Sequence, residues 1–172
     1  MFKSIVETSL PETALLQRYA DSGEYTDCFA TDIPVPSSLP EYVTAFYTTA
    51  LFKAERRILD WLASLPSTDD EARQLARGAR DAFAAWTVED RSDDQLLLID
   101  VRQQTGSWFM HEALDSGSRL YFGSVVFKRK ATPTGRELRW TYRSLLAMHR
   151  LYSRALLAAA RSRLTKTSNE LR

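Results

Sequence analysis

The sequence predicts a single α+β domain in which an antiparallel sheet packs against one long C-terminal helix. From Ala84 to Lys130 apolar and polar residues alternate, and turn-forming clusters divide this stretch into four strands. From Arg136 to Leu164 the apolar residues instead recur at the helical period, with no Gly or Pro inside. A sheet with helices gathered on one face is an α+β arrangement.

The composition is that of a soluble globular protein of one domain. The chain has 172 residues, of which 44% are hydrophobic and 26% charged, and its formal net charge is +1. So small a net charge gives no general attraction to nucleic acid or membrane, and no apolar stretch reaches transmembrane length. Cys28 is the single cysteine, which excludes an intramolecular disulfide. Because no secretory signal is visible, a cytoplasmic location is expected.

The chain before the sheet begins with a short helix and a strand. Ser9-Leu10-Pro11-Glu12 has the Ser-x-x-Glu form of a capping box, which predicts a short helix within residues 1–22 that ends by Gly23. The stretch from Tyr25 to Ile33 alternates and is rich in strand formers, so it predicts the first strand. Pro34 ends this strand because proline cannot donate to the ladder.

Two further helices are predicted before the meander. Ser38-Leu39-Pro40-Glu41 repeats the capping signature, and the helix behind it is expected to reach about Leu62. Thr68-Asp69-Asp70-Glu71 opens the next helix, and its acids suit the positive end of the helix dipole. Gly78 ends or interrupts that helix.

The four strands of the meander are given a register by three turns, assigned at residues 91–94, Thr105-Gly106 and Ser116-Gly117. The resulting pairs are Val88 with Leu97, Trp86 with Ile99, Val101 with Met110, and Trp108 with Val125. With the strand at Tyr25 to Ile33, the sheet has about five strands. A slip of one residue would exchange the faces, so this register determines which side chains meet the core.

These registers sort the sheet into an apolar face and a more polar one. The apolar face carries Trp86, Val88, Leu97, Ile99, Val101, Trp108, Met110, Tyr121, Val125 and Phe127. The other carries Thr87, Glu89, Asp100, Arg102 and His111, mixed with Leu98, Phe109 and Phe122. We expect the long helix to lie on the apolar face. We expect Phe109 and Phe122 to be covered by the N-terminal helix or by a second copy of the chain.

The C-terminal helix has an apolar stripe and a basic flank. The apolar stripe is made of Leu138, Tyr142, Leu145, His149, Tyr152, Leu156 and Ala160, and the basic flank of Arg139, Arg143, Arg150, Arg154 and Arg161. The flank is either the solvated edge of a docked helix or a contact for anionic lipid or an acidic partner. The domain core is expected over residues 25–164, with 165–172 a flexible tail.

The order of elements resembles the START-like helix-grip superfamily. Within it, the chain is most similar to a bacterial family of unassigned function that looks like a distant branch. The resemblance runs from Tyr25 to about Arg163 and rests on three motifs, which are Tyr25-Thr26-Asp27-Cys28-Phe29, Tyr42-Val43-Thr44-Ala45-Phe46-Tyr47 and His149-Arg150. It implies a curved sheet that grips the last helix, with a cavity for an apolar ligand between them.

The first functional hypothesis is therefore a protein that holds a small apolar or aromatic ligand between sheet and helix. The predicted ligand-binding residues are Trp86, Trp108, Met110, Tyr121, Tyr142, His149 and Tyr152. His149 would lie buried and neutral, because burial disfavours the imidazolium form. The structural alternative is that the aromatic rings fill a core and that His149 bonds to Tyr142 or to the backbone.

Two other classes stay open. One is an interaction protein without a ligand, which would form a homodimer or bind a partner through Leu98, Phe109 and Phe122. The other is a hydrolase or cyclase built on His149 or on Asp100 and His111, which the register places opposite each other. No catalytic constellation, metal-ligand spacing, cofactor fingerprint or nucleic-acid-binding motif is present in the sequence.

Overall fold

The computed structural model describes residues 5–54, 67–128 and 138–170, with side chains in the last helix described for residues 150–167. The strands are β1 (Val6–Glu7), β2 (Tyr25–Ile33), β3 (Ala82–Phe83), β4 (Trp86–Arg91), β5 (Gln95–Asp100), β6 (Thr105–Leu114) and β7 (Gly117–Val126). The helices are α1 (Gln17–Asp21), α2 (Leu39–Tyr47), α3 (Asp69–Ala76) and α4 (Leu138–Glu170). Residues 50–54 are also helical.

The described strands form one seven-stranded antiparallel sheet in the order β1-β2-β7-β6-β5-β4-β3. The sheet and the long C-terminal helix α4 make the α+β arrangement that the sequence predicts. The expected count of five strands is wrong. The two additional strands, β1 and β3, are two residues each and lie at the edges. So short a segment leaves no alternation to recognise.

The predicted register is also wrong, because two of the three turns lie elsewhere than assigned and a bulge shifts the pairing of β4 with β5. Strand β6 already begins at Thr105, so the chain turns before it, and Trp108 pairs with Leu97 and Gly123 instead of Val125. The turn between β6 and β7 is Asp115-Ser116, one residue earlier than assigned. Between β4 and β5 the register shifts at a bulge, and Trp86 pairs with Asp100.

Both faces of the sheet are buried, each under a different cover. The first, called here the helix face, carries Phe109 and Phe122 and packs against α2, α3 and α4. The second, called the N-terminal face, carries Trp108 and Val125 and is covered by the segment that contains Leu16. Phe109 and Phe122 are buried, as predicted, but beneath the helices of their own chain.

Helix α4 therefore lies on the face opposite to the one predicted. Its Leu156, Leu157 and Ala160 belong to the buried cluster of Phe109 and Phe122, not to that of Trp108. The sequence assigned polar residues to the face with Phe109 and Phe122, so that face was predicted to be the outer one. It carries the larger core nevertheless, because β5 places apolar residues on both faces. Because Phe109 and Phe122 are covered in this way, they do not form the exposed apolar patch from which a homodimer was predicted.

Two of the three predicted capping signatures mark the start of a helix. Ser38 and Thr68 each form a complete capping box, the first with Glu41 and the second with Glu71. The third signature, at Ser9, is not used: α1 begins at Gln17 without a side-chain cap. Residues 12–13 and 15–16 form turns instead.

Two predicted lengths need correction. Helix α2 ends at Tyr47 instead of near Leu62, and the part of the prediction over residues 55–62 lies outside the described residues. Helix α4 continues to Glu170, so most of the expected tail is helical. Across the described residues, no helix is both long enough and apolar enough to cross a membrane.

Candidate functional site

The residues predicted to line a ligand cavity do not come together. Trp108, Met110 and Tyr121 belong to the cluster on the N-terminal face, whereas Trp86 and Tyr152 pack against the cluster on the helix face. The side chains of Tyr142 and His149 lie outside the described residues. The expectation of one cavity lined by this set is wrong for its described members, because the sheet itself separates them.

Trp108 has a structural part in the N-terminal face. Its ring is fully buried, and its Nε1 donates to Oε1 of Gln95 at 2.9 Å. The same oxygen accepts from the backbone N of Leu15 at 2.9 Å, while Nε2 of Gln95 donates to the carbonyl of Thr13 at 3.0 Å. Gln95 thus joins the tryptophan to the N-terminal segment, and this indole has no donor left for a ligand.

Asp100 and His111, which the predicted register places opposite each other as a cross-strand pair or, alternatively, a general-base pair, are not neighbours. Asp100 pairs with Trp86, and His111 pairs with Leu120. The carboxylate of Asp100 instead accepts hydrogen bonds from the turn before β6, including one from Oγ1 of Thr105 at 3.0 Å. Because the two residues do not pair, Asp100 cannot orient the imidazole of His111 for general-base chemistry.

His111 is a half-buried histidine near the start of α2. Burial lowers its pKa below the ordinary value, and the Glu41 and Asp94 carboxylates and the backbone of Ser37 oppose this shift only in part. Its Nε2 and the hydroxyl of Ser37 are buried, without a hydrogen-bond partner among the described residues. The imidazole is therefore held in its neutral form more readily than in water.

This shift makes the stability of the protein depend on pH. An unfolded histidine binds its proton at about pH 6.5, whereas folded His111 binds one only at lower pH. The unfolded state thus holds more protons in this window, so the free energy of unfolding should fall as pH drops below about 6.5. Urea unfolding of the wild type and His111→Gln should show a shallower pH dependence for the variant. Equal slopes would contradict this assignment.

A groove of about 420 Å³ lies between α2, α3 and α4. Helix α2 contributes one of its faces, with Pro40, Glu41, Thr44, Ala45 and Thr48. Positions three and four apart lie on the same side of a helix, which is why these five line one wall. The opposite side of α2 places Tyr42 and Phe46 against the sheet.

The other walls of the groove are basic and apolar. Helix α3 contributes Arg73 and Arg77, and α4 contributes Arg163, Leu164 and Thr167. The loop after β2 closes one end with Val35, Pro36 and Ser37. Three arginines thus line a groove whose single acidic lining residue is Glu41.

The charged groups of the groove differ in what they already contact. Glu41 accepts from the backbone N of Ser38 at 2.8 Å, so its carboxylate caps α2. Arg163 donates through Nη1 to the carbonyl of Thr48 at 2.6 Å. Arg73 is 3.8 Å from the carboxylate of Asp70. Arg77 has no hydrogen bond or ion pair through its side chain among the described residues.

The basic flank predicted on α4 is partly used within the chain. Arg150 forms an ion pair with Glu7 of β1. Arg154 donates to the carbonyl of Ile5 at 3.4 Å. These two arginines therefore hold the N-terminal strand to α4 and are not a solvated edge alone.

The second hollow, the Cys28 thiol and the possible metal ligands are weaker candidates for a functional site. A second hollow, of about 130 Å³, contains Arg119, but this guanidinium is already bonded to Asp32 at 2.7 and 3.2 Å. Burial, with the Asp27 carboxylate beside it, raises the pKa of the Cys28 thiol to about 12, so the thiol stays protonated. Among the described residues no cluster of His, Cys, Asp or Glu could hold a metal ion.

No family model matches the sequence, and no curated protein matches it. Among solved structures, the crystal structure of Ara h 8.0201 aligns with 80% of this chain and 95% of its own, at 10% sequence identity and a TM-score of 0.36. So low a likeness carries no argument about ligand or activity. An antiparallel sheet packed against a long C-terminal helix, which the helix-grip resemblance implies, is present in the chain itself.

Proposed function

We propose that the protein binds a small molecule in the groove between α2, α3 and the C-terminal half of α4. The observation that carries the proposal is the groove itself, whose volume of about 420 Å³ falls within the range of roughly 300–1,000 Å³ for small-molecule sites. Its walls combine apolar residues with a few polar and charged groups, which is the usual composition of such a site.

The alternative location, between the sheet and the helices, is filled where its side chains are described. The ring of Phe46 lies 4.8 Å from those of both Phe109 and Phe122, measured between centroids. Tyr42 and Tyr47 pack on the same cluster. Rings at these separations leave no room for a further apolar molecule among them, so the proposed site lies on the other side of α2.

A variant that fills the groove tests this proposal. Thr44 is half-buried on the groove wall, so Thr44→Trp should occupy part of the space and weaken the binding of any small molecule held there. Loss of about tenfold in affinity is expected, since a displaced ligand gives up roughly 1.4 kcal/mol or more of contact energy. Ser162→Trp is the matched control, because Ser162 is exposed on α4 and does not line the groove.

The measurement has two stages. Native mass spectrometry of the purified protein identifies molecules that co-purify with it, and NMR titration with a fragment mixture then locates the amides that respond. Shifts should concentrate at Thr44, Ala45, Thr48 and Leu164 and should be lost in Thr44→Trp but kept in Ser162→Trp. Shifts confined to another surface, or unaffected by Thr44→Trp, would reject the groove as the site.

A further inference from the structure

We infer that the ligand of this groove is an organic anion whose acidic group is bound by Arg77, with Arg73 and Arg163 beside it. This inference rests on the proposed function and adds the chemical class of the ligand. It follows from the charge of the groove, from the availability of its arginines, and from the apolar surface next to them.

The groove is more basic than the chain as a whole. Three arginines line it against the single carboxylate of Glu41, whereas the whole chain has a net charge of only +1. Since Glu41 caps α2, its carboxylate is directed to the backbone of Ser38 instead of to the arginines. An excess of cations in a concave surface attracts anions, because the low-dielectric walls concentrate the field.

Arg77 is the arginine that is most available to a ligand. It follows the last residue of α3, and the carbonyl of Leu75 near that helix end accepts from Nη2 of Arg91 at 2.9 Å. The side chain of Arg77 itself has no hydrogen bond or ion pair among the described residues. A free guanidinium presents a planar fork of donors that fits a carboxylate or a phosphate bidentately.

Arg163 and Arg73 complete the basic wall. The bond from Arg163 to the carbonyl of Thr48 fixes the guanidinium at the end of α2, and a guanidinium has further donors beyond that one. Arg73 lies four residues before Arg77, so both project from the same side of α3. Its contact with Asp70 is long and exposed, at 3.8 Å, and contributes little that a ligand would have to displace.

The rest of the groove favours an apolar body over a second charge. Val35, Pro36, Pro40, Ala45 and Leu164 supply the apolar surface. The hydroxyl of Thr48 is already bonded to the carbonyl of Thr44 at 2.7 Å. The polar groups left for a ligand are then chiefly the arginines, beside the hydroxyl of Ser37, and a ring-bearing organic acid fits better than a bare inorganic anion.

A matched series of naphthalene derivatives tests the charge requirement. The probes are 2-naphthoate, 2-naphthyl phosphate and the neutral 2-naphthamide, which share one apolar body. Both anions should bind at least about tenfold more tightly than the amide, since each anion is attracted by the charge of the guanidinium and accepts two parallel bonds from it, whereas the amide is neutral and has one acceptor oxygen. The ratio of the affinities for 2-naphthoate and 2-naphthyl phosphate then distinguishes a carboxylate ligand from a phosphate ligand. Added salt should weaken the anions and leave the amide unchanged.

Arg77→Gln tests whether Arg77 is the residue that binds the anionic group of the ligand. The variant should lose about tenfold in affinity for both anions and keep the affinity for 2-naphthamide, because it removes an ion pair without changing the apolar walls. Arg102→Gln makes the same change in charge at an exposed turn outside the groove and is the control. Arg163 is not used for this purpose, since its replacement would also remove the bond to Thr48.

The outcomes separate this inference from the proposed function. If 2-naphthamide binds as tightly as the anions, with shifts at the groove amides, the ligand class is wrong and the groove remains a binding site. If Arg77→Gln leaves anion affinity unchanged, the assignment of the charged anchor is overturned. If none of the three probes shifts the groove amides at millimolar concentration, both the ligand class and the proposed function fail.

Discussion

Replacement of Phe109 by alanine should lower the free energy of unfolding by about 3–5 kcal/mol, the usual range for a fully buried phenylalanine. Phe109 is not exposed at all, and its ring contacts those of Tyr42, Phe46, Tyr47 and Phe122 at centroid distances of 4.8 to 5.6 Å. Truncation removes the transfer energy of the ring and leaves a cavity that these neighbours can refill only in part.

Denaturant unfolding measures this effect, and Phe127→Ala is the matched control. Phe127 is only half-buried and has one edge contact, with Tyr19 at 5.1 Å, so its truncation should cost clearly less. Benzene should stabilise Phe109→Ala and not the wild type, since an apolar cavity of this kind stays dry and accepts such a molecule. A wild type that already binds benzene there would show that the space between sheet and helices is a pocket and not a filled core.

Much of the local structure could be predicted from short sequence signals. The bounds of β2 follow from its alternation and from Pro34 behind it. The capping boxes at Ser38 and Thr68 depend on residues three apart, and both form as predicted. Helix α4 is long because no glycine or proline interrupts it. Each of these features depends on neighbours in the chain, which a single sequence contains.

The face of the sheet that the helices cover could not be predicted in the same way. Strand β5 contains Leu96, Leu97, Leu98 and Ile99 in succession, all buried, so it is apolar on both sides. Alternation cannot then tell which side receives the helices. The bulge between Val88 and Asp90 moves Trp86 to the helix face, and no signal in the residues themselves announces the bulge.

The candidate site was missed for a related reason. Arg73 and Arg77 are four residues apart and resemble the solvated side of an ordinary helix. Arg163 was not assigned to any site. Only the mutual arrangement of α2, α3 and α4 brings these arginines to one groove, and that arrangement depends on the face of the sheet that the helices cover.

Gly117→Ala should destabilise the fold by about 3 kcal/mol, as expected when backbone strain and overpacking act together. Gly117 closes the two-residue turn between β6 and β7, and its φ is +139°, a conformation that other L residues rarely adopt. An added Cβ would lie 2.0 Å from the carbonyl oxygen of Ile33 and 3.2 Å from Cα of Pro34. Both neighbours are backbone atoms at the end of β2, so relief requires that two paired strands separate.

Gly78→Ala is the control that separates the steric clash of an added Cβ from the backbone strain of a positive φ. Gly78 has a φ of +75°, but an added Cβ would meet nothing closer than the side chain of Arg91 at 3.9 Å. It should therefore cost only about 1 kcal/mol, the conformational part alone. Thermal and urea unfolding of both variants would give the difference that is due to contact with Ile33. If the two variants lose equal stability, the close approach of Gly117 to β2 is wrong, and with it the register that places the loop after β2 beside the groove.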